Sequence, residues 1–371
     1  MSDPRIKIGV IGCGDVSGLY LEPLKVFKNV EVAACADIKP DAAKARAAEF
    51  GIPKVCSVKE LLADPDIGIV LNLTLPKSHG EIALAALKAG KSVYNEKPLA
   101  VKRSEGRKML ELAAAKGLRI GCAPDVFLGA SGQTCRKLID EGLIGEPLAA
   151  TACLIGVTGG PPEAWIPHRA FKFQAGYGPM GNMAPYYLTA LVNLIGPIRR
   201  VMAMTRINLS QRFATGQTKA GEVINIEAPT TIAGIMEFAN GAIGTITASA
   251  DIWGGKTLPE IEIYGTKGSL SLPDPNIFGG EVWLRAGKKE WSPVPLSHSY
   301  GVQFRGLGVA DMAKGIQTGR PHRANGEIAF HVLDAIHSFF ESGARGRSIN
   351  LTTTCARPAP LPVGLSEGNL D

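Results

Sequence analysis

The stretch Ile6-Lys7-Ile8-Gly9-Val10-Ile11-Gly12-Cys13-Gly14-Asp15-Val16-Ser17-Gly18 decides the fold. An apolar run ends in two close glycines, and Leu19, Leu21, Leu24 and Phe27 follow at helical spacing. This predicts a strand, a tight turn and a helix start. Gly12 permits the turn, and Gly14 leaves no side chain between the backbone and a pyrophosphate. A helix opening near Asp15 and Val16 offers unpaired N–H groups and a positive dipole end to phosphate. The spacing here is G-x-G-x-x-x-G, one residue longer than the usual fingerprint, and a glycine turn alone equally suits an ordinary strand–helix connection. A second apolar run, Val30 through Ala36, ends at Asp37, 23 residues beyond Gly14. An acid at about 20 residues is where adenosine ribose hydroxyls are met. Asp37, with Ile38 beside it, marks the adenosine end of a dinucleotide site. Its charge would repel the 2′-phosphate of NADP, although Lys39 and Lys44 work against that discrimination. NAD is expected, with NADP the less favoured.

The remaining composition narrows the class. A chain of 371 residues is long for one core, so two domains are expected. Its 45% hydrophobic and 20% charged residues are those of a globular protein. The net charge of +6 is scattered, without a Lys/Arg block interleaved with aromatics, which argues against a nucleic-acid partner. The seven cysteines form no C-x-x-C pair and several lie in apolar runs, the pattern of buried free thiols; no metal site is expected. No secretory start and no membrane-length apolar run is present, so a cytoplasmic, membrane-free protein is expected.

Through about residue 124, strands and helices alternate. Helices are expected over 40–50, 58–63, 78–89 and 104–116, and strands over 67–73, 92–94 and 119–123. This is an α/β Rossmann pattern, a parallel sheet with helices on both faces, and ligands bind beyond the carboxyl ends of its strands. Asp15, Asp37, Thr74, Glu96, Lys97 and Asp125 fall at such ends. Residues 125–371 read as an α+β domain. Helices are expected over 131–141, 182–194, 308–318 and 325–342, and strands over 149–157, 200–207, 230–238, 242–248, 259–264, 268–272 and 281–284. The Pro-rich tail after Arg357 reads as loosely held.

Glu96-Lys97-Pro98 follows the strand nearest the expected nicotinamide. A desolvated lysine beside that ring would have a lowered pKa and could exchange a proton with a hydroxyl or carbonyl. The plain alternative is a solvated loop lysine. Taken together, this turn, the opening glycines, Asn72-Leu73-Thr74-Leu75-Pro76 with His79, Leu138 through Pro147, and Gly178 through Tyr187 resemble the Gfo/Idh/MocA family, the glucose–fructose oxidoreductase and inositol dehydrogenase relatives. The resemblance covers about residues 6–349. It implies a Rossmann domain followed by a large, open, mostly antiparallel sheet through which many members pair, hence a homodimer or homotetramer. It also implies hydride transfer between a nicotinamide and a hydroxyl or keto carbon of a sugar, glycoside or cyclitol. Relatives that retain NAD and cleave by transient oxidation, and relatives that bind dinucleotide without turnover, are the alternatives.

Carried over by position, Gly12, Gly14, Asp15 and Val16 would hold the pyrophosphate, Asp37 and Ile38 the adenosine, and Leu73, Thr74, Pro76 and His79 the groove. Glu96, Lys97 and Pro98 would flank the nicotinamide, with Asp125 where the family often has Asn. Many members place Asp and His four residues apart on the next helix; here stand Asn182 and Tyr186, expected on one helix face. Asn cannot take a proton, whereas Tyr186 could if Lys97 lowered its pKa. Both are equally readable as residues satisfied within the fold. Trp165, His168, Arg169, Phe173 and Tyr177 lie in the preceding loop, where aromatic faces suit a sugar ring and the cations its hydroxyls or an acid group. Arg305, Arg323 and His331 are weaker candidates.

Overall fold

The computed structural model describes residues 5–155, 170–214, 220–252 and 258–371. In the first domain the apolar runs become strands β1 (Ile6–Ile11), β2 (Val30–Ala36), β3 (Lys54–Val55), β4 (Ile67–Asn72), β5 (Ser92–Asn95) and β6 (Ile120–Cys122). They pair in parallel in the order β3-β2-β1-β4-β5-β6. Ile8, Val10, Ile69, Val70 and Leu71 are fully buried because helices cover both faces of the sheet. Those helices are α1 (Ser17–Leu24), α2 (Pro40–Phe50), α3 (Val58–Ala63), α4 (Pro76–Lys88) and α5 (Arg103–Lys116). Pro40 and Pro76 open their helices where no N–H partner is needed, and left-handed glycines end α2 and α5. Ser57 and Glu60 form a reciprocal cap on α3.

The second domain comprises α6 (Ala130–Asp140), β7 (Pro147–Ile155), α7 (Gly178–Asn182), α8 (Ala184–Leu194) and β8 (Ile198–Arg206). A short hairpin of β9 (Gln211–Phe213) and β10 (Val223–Asn225) follows. Then come β11 (Thr231–Phe238), β12 (Ile243–Ser249), β13 (Ile261–Gly265), β14 (Gly268–Leu272), β15 (Val282–Ala286) and β16 (Ser292–Val294). The chain closes with α9 (Leu307–Thr318), α10 (Gly326–Arg345) and β17 (Ile349–Asn350). Its nine-stranded sheet runs β16-β15-β14-β13-β7-β12-β11-β8-β17, antiparallel except for the β7–β12 pair. Helix α10 covers one face so closely that a Cβ on Gly234 would meet Phe339 at 2.7 Å. The strands β9, β10, β16 and β17 were too short to show a sequence pattern. No helix among the described residues is long and apolar enough to cross a membrane.

Three features differ from the sequence expectation. The helix expected over 182–194 is two helices, interrupted at Met183 (φ −115°, ψ −31°). Pro185 explains the break: it has no N–H to give the preceding turn and its ring crowds the carbonyl four residues back. Helix α9, within the 125–371 segment, returns to the first domain, and Cys122 N–H donates to Ala324 O at 3.0 Å. The tail is held rather than loose. Arg136 Nη1 donates to Pro358 O (2.9 Å), Arg323 Nε to Ala359 O (3.0 Å), and Tyr300 Oη to Asn369 O (2.8 Å); Leu361 is 3% exposed. Prolines prevent ladder pairing but leave carbonyls for donors from the core.

The tail meets the return segment at Asp311, which is fully buried and accepts from Arg323 Nη1 (2.5 Å), Arg323 N (2.6 Å) and Arg320 Nη2 (2.7 Å). Removing it takes the buried anion from Arg323, itself 3% exposed, and leaves it only the partly exposed Asp371 at 2.8 Å. Asp311→Ala is expected to destabilise by about 3–5 kcal/mol, read as a lower urea midpoint. A midpoint equal to that of the parent would show that the cluster contributes nothing.

Candidate active site

The site begins where β1 ends. Gly12 has φ +101°, and a Cβ there would lie 2.6 Å from the Leu73 carbonyl carbon, so position 12 accepts only glycine on both counts. Asp37, at the end of β2, secures the turn: Oδ2 accepts from Cys13 N–H (2.7 Å) and Oδ1 from Lys39 N–H (2.8 Å). Each oxygen keeps capacity for another donor. At Gly14 a Cβ would meet nothing within 4 Å, because the position opens onto a crevice. This crevice, about 440 Å³, is lined there by Gly14, Asp15 and Val16 at the entry to α1, whose first N–H groups have no helical acceptors. Ile38 is 95% exposed beside Asp37, and Leu75 is 53% exposed. A bare backbone approach, helix N–H groups, a carboxylate with spare lone pairs and apolar platforms fit a dinucleotide.

Deeper in, the ends of β4 and β5 are locked together. Asn72 Nδ2 donates to Asn95 Oδ1 (3.0 Å) and His79 O (3.2 Å), and Thr74 Oγ1 donates to Asn72 Oδ1 (2.7 Å). His79 is buried with Nδ1 2.7 Å from Pro98 O and Nε2 2.9 Å from Thr74 O. Burial lowers its pKa against the pull of those carbonyls, and the ring works as a strut between the two loops. Leu73, Thr74, Pro76 and His79 all line the crevice; Pro98 stands behind it.

Lys97 Nζ donates to Asn182 O at 2.5 Å and lies 5.3 Å from the centre of the Tyr186 ring. Burial lowers its pKa, Glu96 opposes this, and the Arg305 guanidinium adds to the lowering. Glu96 Oε1 accepts from Tyr20 Oη at 3.0 Å. Asn182 ends α7 and Tyr186 sits in α8, so they share the crevice without sharing one helix. The condition under which Tyr186 could take a proton, a pKa lowered by Lys97, is not met. Burial and then Glu96 push its phenol up, with Arg305 opposing, so it stays protonated and keeps a proton to donate.

Other residues divide. Tyr177 lines the crevice, and so do Phe171, Lys172 and Met183, which the sequence reading did not put forward as site residues; only their place in an aromatic-rich loop before the helix pointed there. Arg305 also lines it, brought in by the loop before α9. Trp165, His168 and Arg169 lie outside the described residues. Phe173 is buried under Arg212, whose guanidinium carbon is 5.6 Å from its ring centre. Arg323 serves Asp311, and His331 takes the Ile198 N–H on Nε2 (2.9 Å). Asp125 is fully buried outside the lining; Oδ2 accepts from the N–H groups of Gly306 and Gly308, each at 2.9 Å. Burial raises its pKa to about 6. It anchors the loop that carries Arg305.

Residues 6–123 match the family model described as an oxidoreductase family with an NAD-binding Rossmann fold. Residues 133–271 match the GFO/IDH/MocA C-terminal domain. A levoglucosan dehydrogenase of Pseudarthrobacter phenanthrenivorans is 28% identical over 245 residues, 63% of this chain and 63% of that protein. A 1,5-anhydro-D-fructose reductase of Ensifer adhaerens is 39% identical over 143 residues, 38% of this chain and 43% of that protein. The chain therefore spans less than two thirds of the length of either relative. A solved levoglucosan dehydrogenase in complex with NADH aligns with a TM-score of 0.82 at 22% identity, over 94% of this chain and 100% of that one, and shares its fold.

The Asp37 carboxylate is expected to select against a 2′-phosphate. In Asp37→Ser, fluorescence titration should shift the ratio of NADPH to NADH affinity at least about tenfold toward NADPH, the effect of one close charge repulsion. An unchanged ratio would place the ribose away from Asp37.

Proposed function

The chain belongs to the Gfo/Idh/MocA oxidoreductase family, with an NAD-binding Rossmann domain, and on that premise we propose that it is an NAD-dependent dehydrogenase acting on a CH–OH or keto carbon of a sugar or cyclitol. The relatives named for levoglucosan and 1,5-anhydro-D-fructose support this substrate class. The observation that carries the reading is Lys97, an amine drawn into the crevice, held by a backbone carbonyl, with its pKa lowered by burial.

When bound, NAD supplies the hydride acceptor at nicotinamide C4. The chain's own residues manage the proton and the geometry. In oxidation, neutral Lys97 takes the hydroxyl proton while the carbinol hydrogen leaves with its electron pair, and the C–O bond becomes C=O. Asn182 O then accepts from the ammonium and limits the cost of burying it. Tyr186, kept protonated, donates a hydrogen bond to a substrate oxygen. Phe171 and Tyr177 give the ring apolar faces and keep water from the reacting carbon.

Lys97→Met should lower kcat by about 10²–10⁴-fold, while NADH still binds by fluorescence. The lowered pKa sets the sign of the pH dependence. Oxidation needs the neutral amine, so kcat/KM should fall as pH drops through an ionisation below the ~10.4 of a free lysine. Reduction should show the opposite slope. Full turnover in Lys97→Met would remove this residue from the chemistry.

The sheet of the second domain offers a surface for a second copy of the chain. On the face away from α10, Met204 is 82% exposed, Ile243 55% and Ile235 48%. Met202, Ile235, Thr245 and Thr151 lie in register across four strands, a flat apolar and threonine row. Pairing this face with itself would bury the row, giving a homodimer or homotetramer. Light scattering should show an oligomer that Ile235→Asp dissociates; a monomeric parent protein would refute the pairing.

A further inference from the structure

Arg305 narrows the substrate, an inference that rests on the dehydrogenase reading above. It lines the same crevice as Lys97 and is half-buried. Its donors are fixed by neutral oxygens: Nη2 to Asn276 Oδ1 (2.7 Å) and Tyr186 Oη (3.5 Å), and Nη1 to Gln303 Oε1 (3.1 Å). Among the described residues no carboxylate forms an ion pair with it. Three other arginines drawn into the protein are matched. Arg103 meets Asp334 at 2.6 Å, Arg136 meets Asp140 at 2.6 Å, and Arg323 meets Asp311 at 2.5 Å. Glu96, in the same lining, is turned to Tyr20.

Glu96, Asp125 and Asp274 act on Arg305 only at longer range, and a guanidinium in a ligand crevice whose direct partners are all neutral oxygens suits an anion from outside. Its planar guanidinium matches the geometry of a carboxylate. The receptor is preorganised. Asn276 and Gln303 aim the fork, and Asp125 fixes the loop behind it through Gly306 and Gly308. The pyrophosphate of the dinucleotide belongs elsewhere, at Gly14 and the entry to α1 in the first domain. We propose that the substrate is a polyhydroxy carboxylate, such as an aldonic, uronic or cyclitol acid. Its carboxylate pairs with Arg305 while the hydroxyl to be oxidised reaches Lys97.

The test pairs each acid with its uncharged twin. Gluconate, glucuronate and galacturonate are assayed with NAD beside their amides, the parent sugars, myo-inositol and the sugar 6-phosphates. The acids should exceed their amides by about 100-fold or more in kcat/KM, since a site built for a polar group rejects the analogue lacking it. Arg305→Gln should collapse that ratio toward one, and Arg305→Lys, which keeps the charge but not the fork, should restore part of it. NADH titration of each variant reports whether the fold and the dinucleotide site survive. Equal or better turnover of amides, neutral sugars or inositol overturns the proposal while leaving the dehydrogenase reading intact, and so does a preference for the phosphates. If nothing is turned over, calorimetry of the acids with the enzyme–NADH complex decides. Binding that Arg305→Gln abolishes upholds the anion site and removes the dehydrogenase reading; no binding overturns the anion site.

Discussion

The approach of the β1 turn to the end of β4 is the constraint on which the crevice depends. Parallel pairing carries the carboxyl ends of β1, β2, β4 and β5 to one edge of the sheet. The loops leaving that edge compete for space, and position 12 has none to give beyond a glycine hydrogen. Once the turn is seated there, the remaining contacts follow from neighbouring strand ends. Asp37 reaches the Cys13 N–H because β2 lies beside β1, and Asn72 reaches Asn95 because β4 lies beside β5. The amide pair and the His79 strut then hold the segment carrying Glu96 and Lys97 against the segment carrying Thr74. The Lys97 amine thus gains a fixed position from contacts made between strand ends, short polar side chains and a buried imidazole.

The second domain completes the crevice from two directions. Its helices α7 and α8 bring Asn182 and Tyr186 to Lys97, and the break between them at Met183 lets a backbone carbonyl, which an unbroken helix would have consumed, face the amine. The return segment brings Arg305, with Gly306 at φ +103° turning the chain into α9. Asp125 supports this turn from the first residues after β6. Its raised pKa records the cost of burying a carboxylate with only N–H partners.

The elements legible in the sequence are those whose boundaries are set by local chemistry. Residues 40–50 were readable as a helix because Pro40 opens it and Gly51 closes it, and α2 occupies that span. The alternation of apolar runs with helical spacing marks the Rossmann sheet, and the glycine-containing turns Asn240-Gly241 and Thr266-Lys267-Gly268 suit the hairpins β11–β12 and β13–β14 that they connect. What stayed hidden depends on distant partners. Arg305 had no local mark beyond its charge, since its place is set by Asn276, Gln303 and an aspartate 180 residues earlier. The tail shows prolines, which read as loosely held chain, whereas the arginines that seat it come from α6 and from the approach to α10. The titration of the Tyr186 phenol is illegible for the same reason. Proximity to a lysine is visible in a pattern, but burial, which dominates its titration, is not.

Burial also shapes the balance around Lys97. Burial keeps more of the amine neutral and ready to take a proton from a hydroxyl, but leaves less ammonium to return one in reduction. Glu96 pulls the other way, favouring the ammonium. By donating to Glu96, Tyr20 spreads part of that negative charge into its own hydrogen bond and softens the pull. Asn182 O stabilises the ammonium without contributing a charge of its own. The lysine is therefore held between a desolvation that releases the proton and two oxygens that recover it. A group so balanced can serve as base in one direction and acid in the other, which a reversible hydride transfer requires.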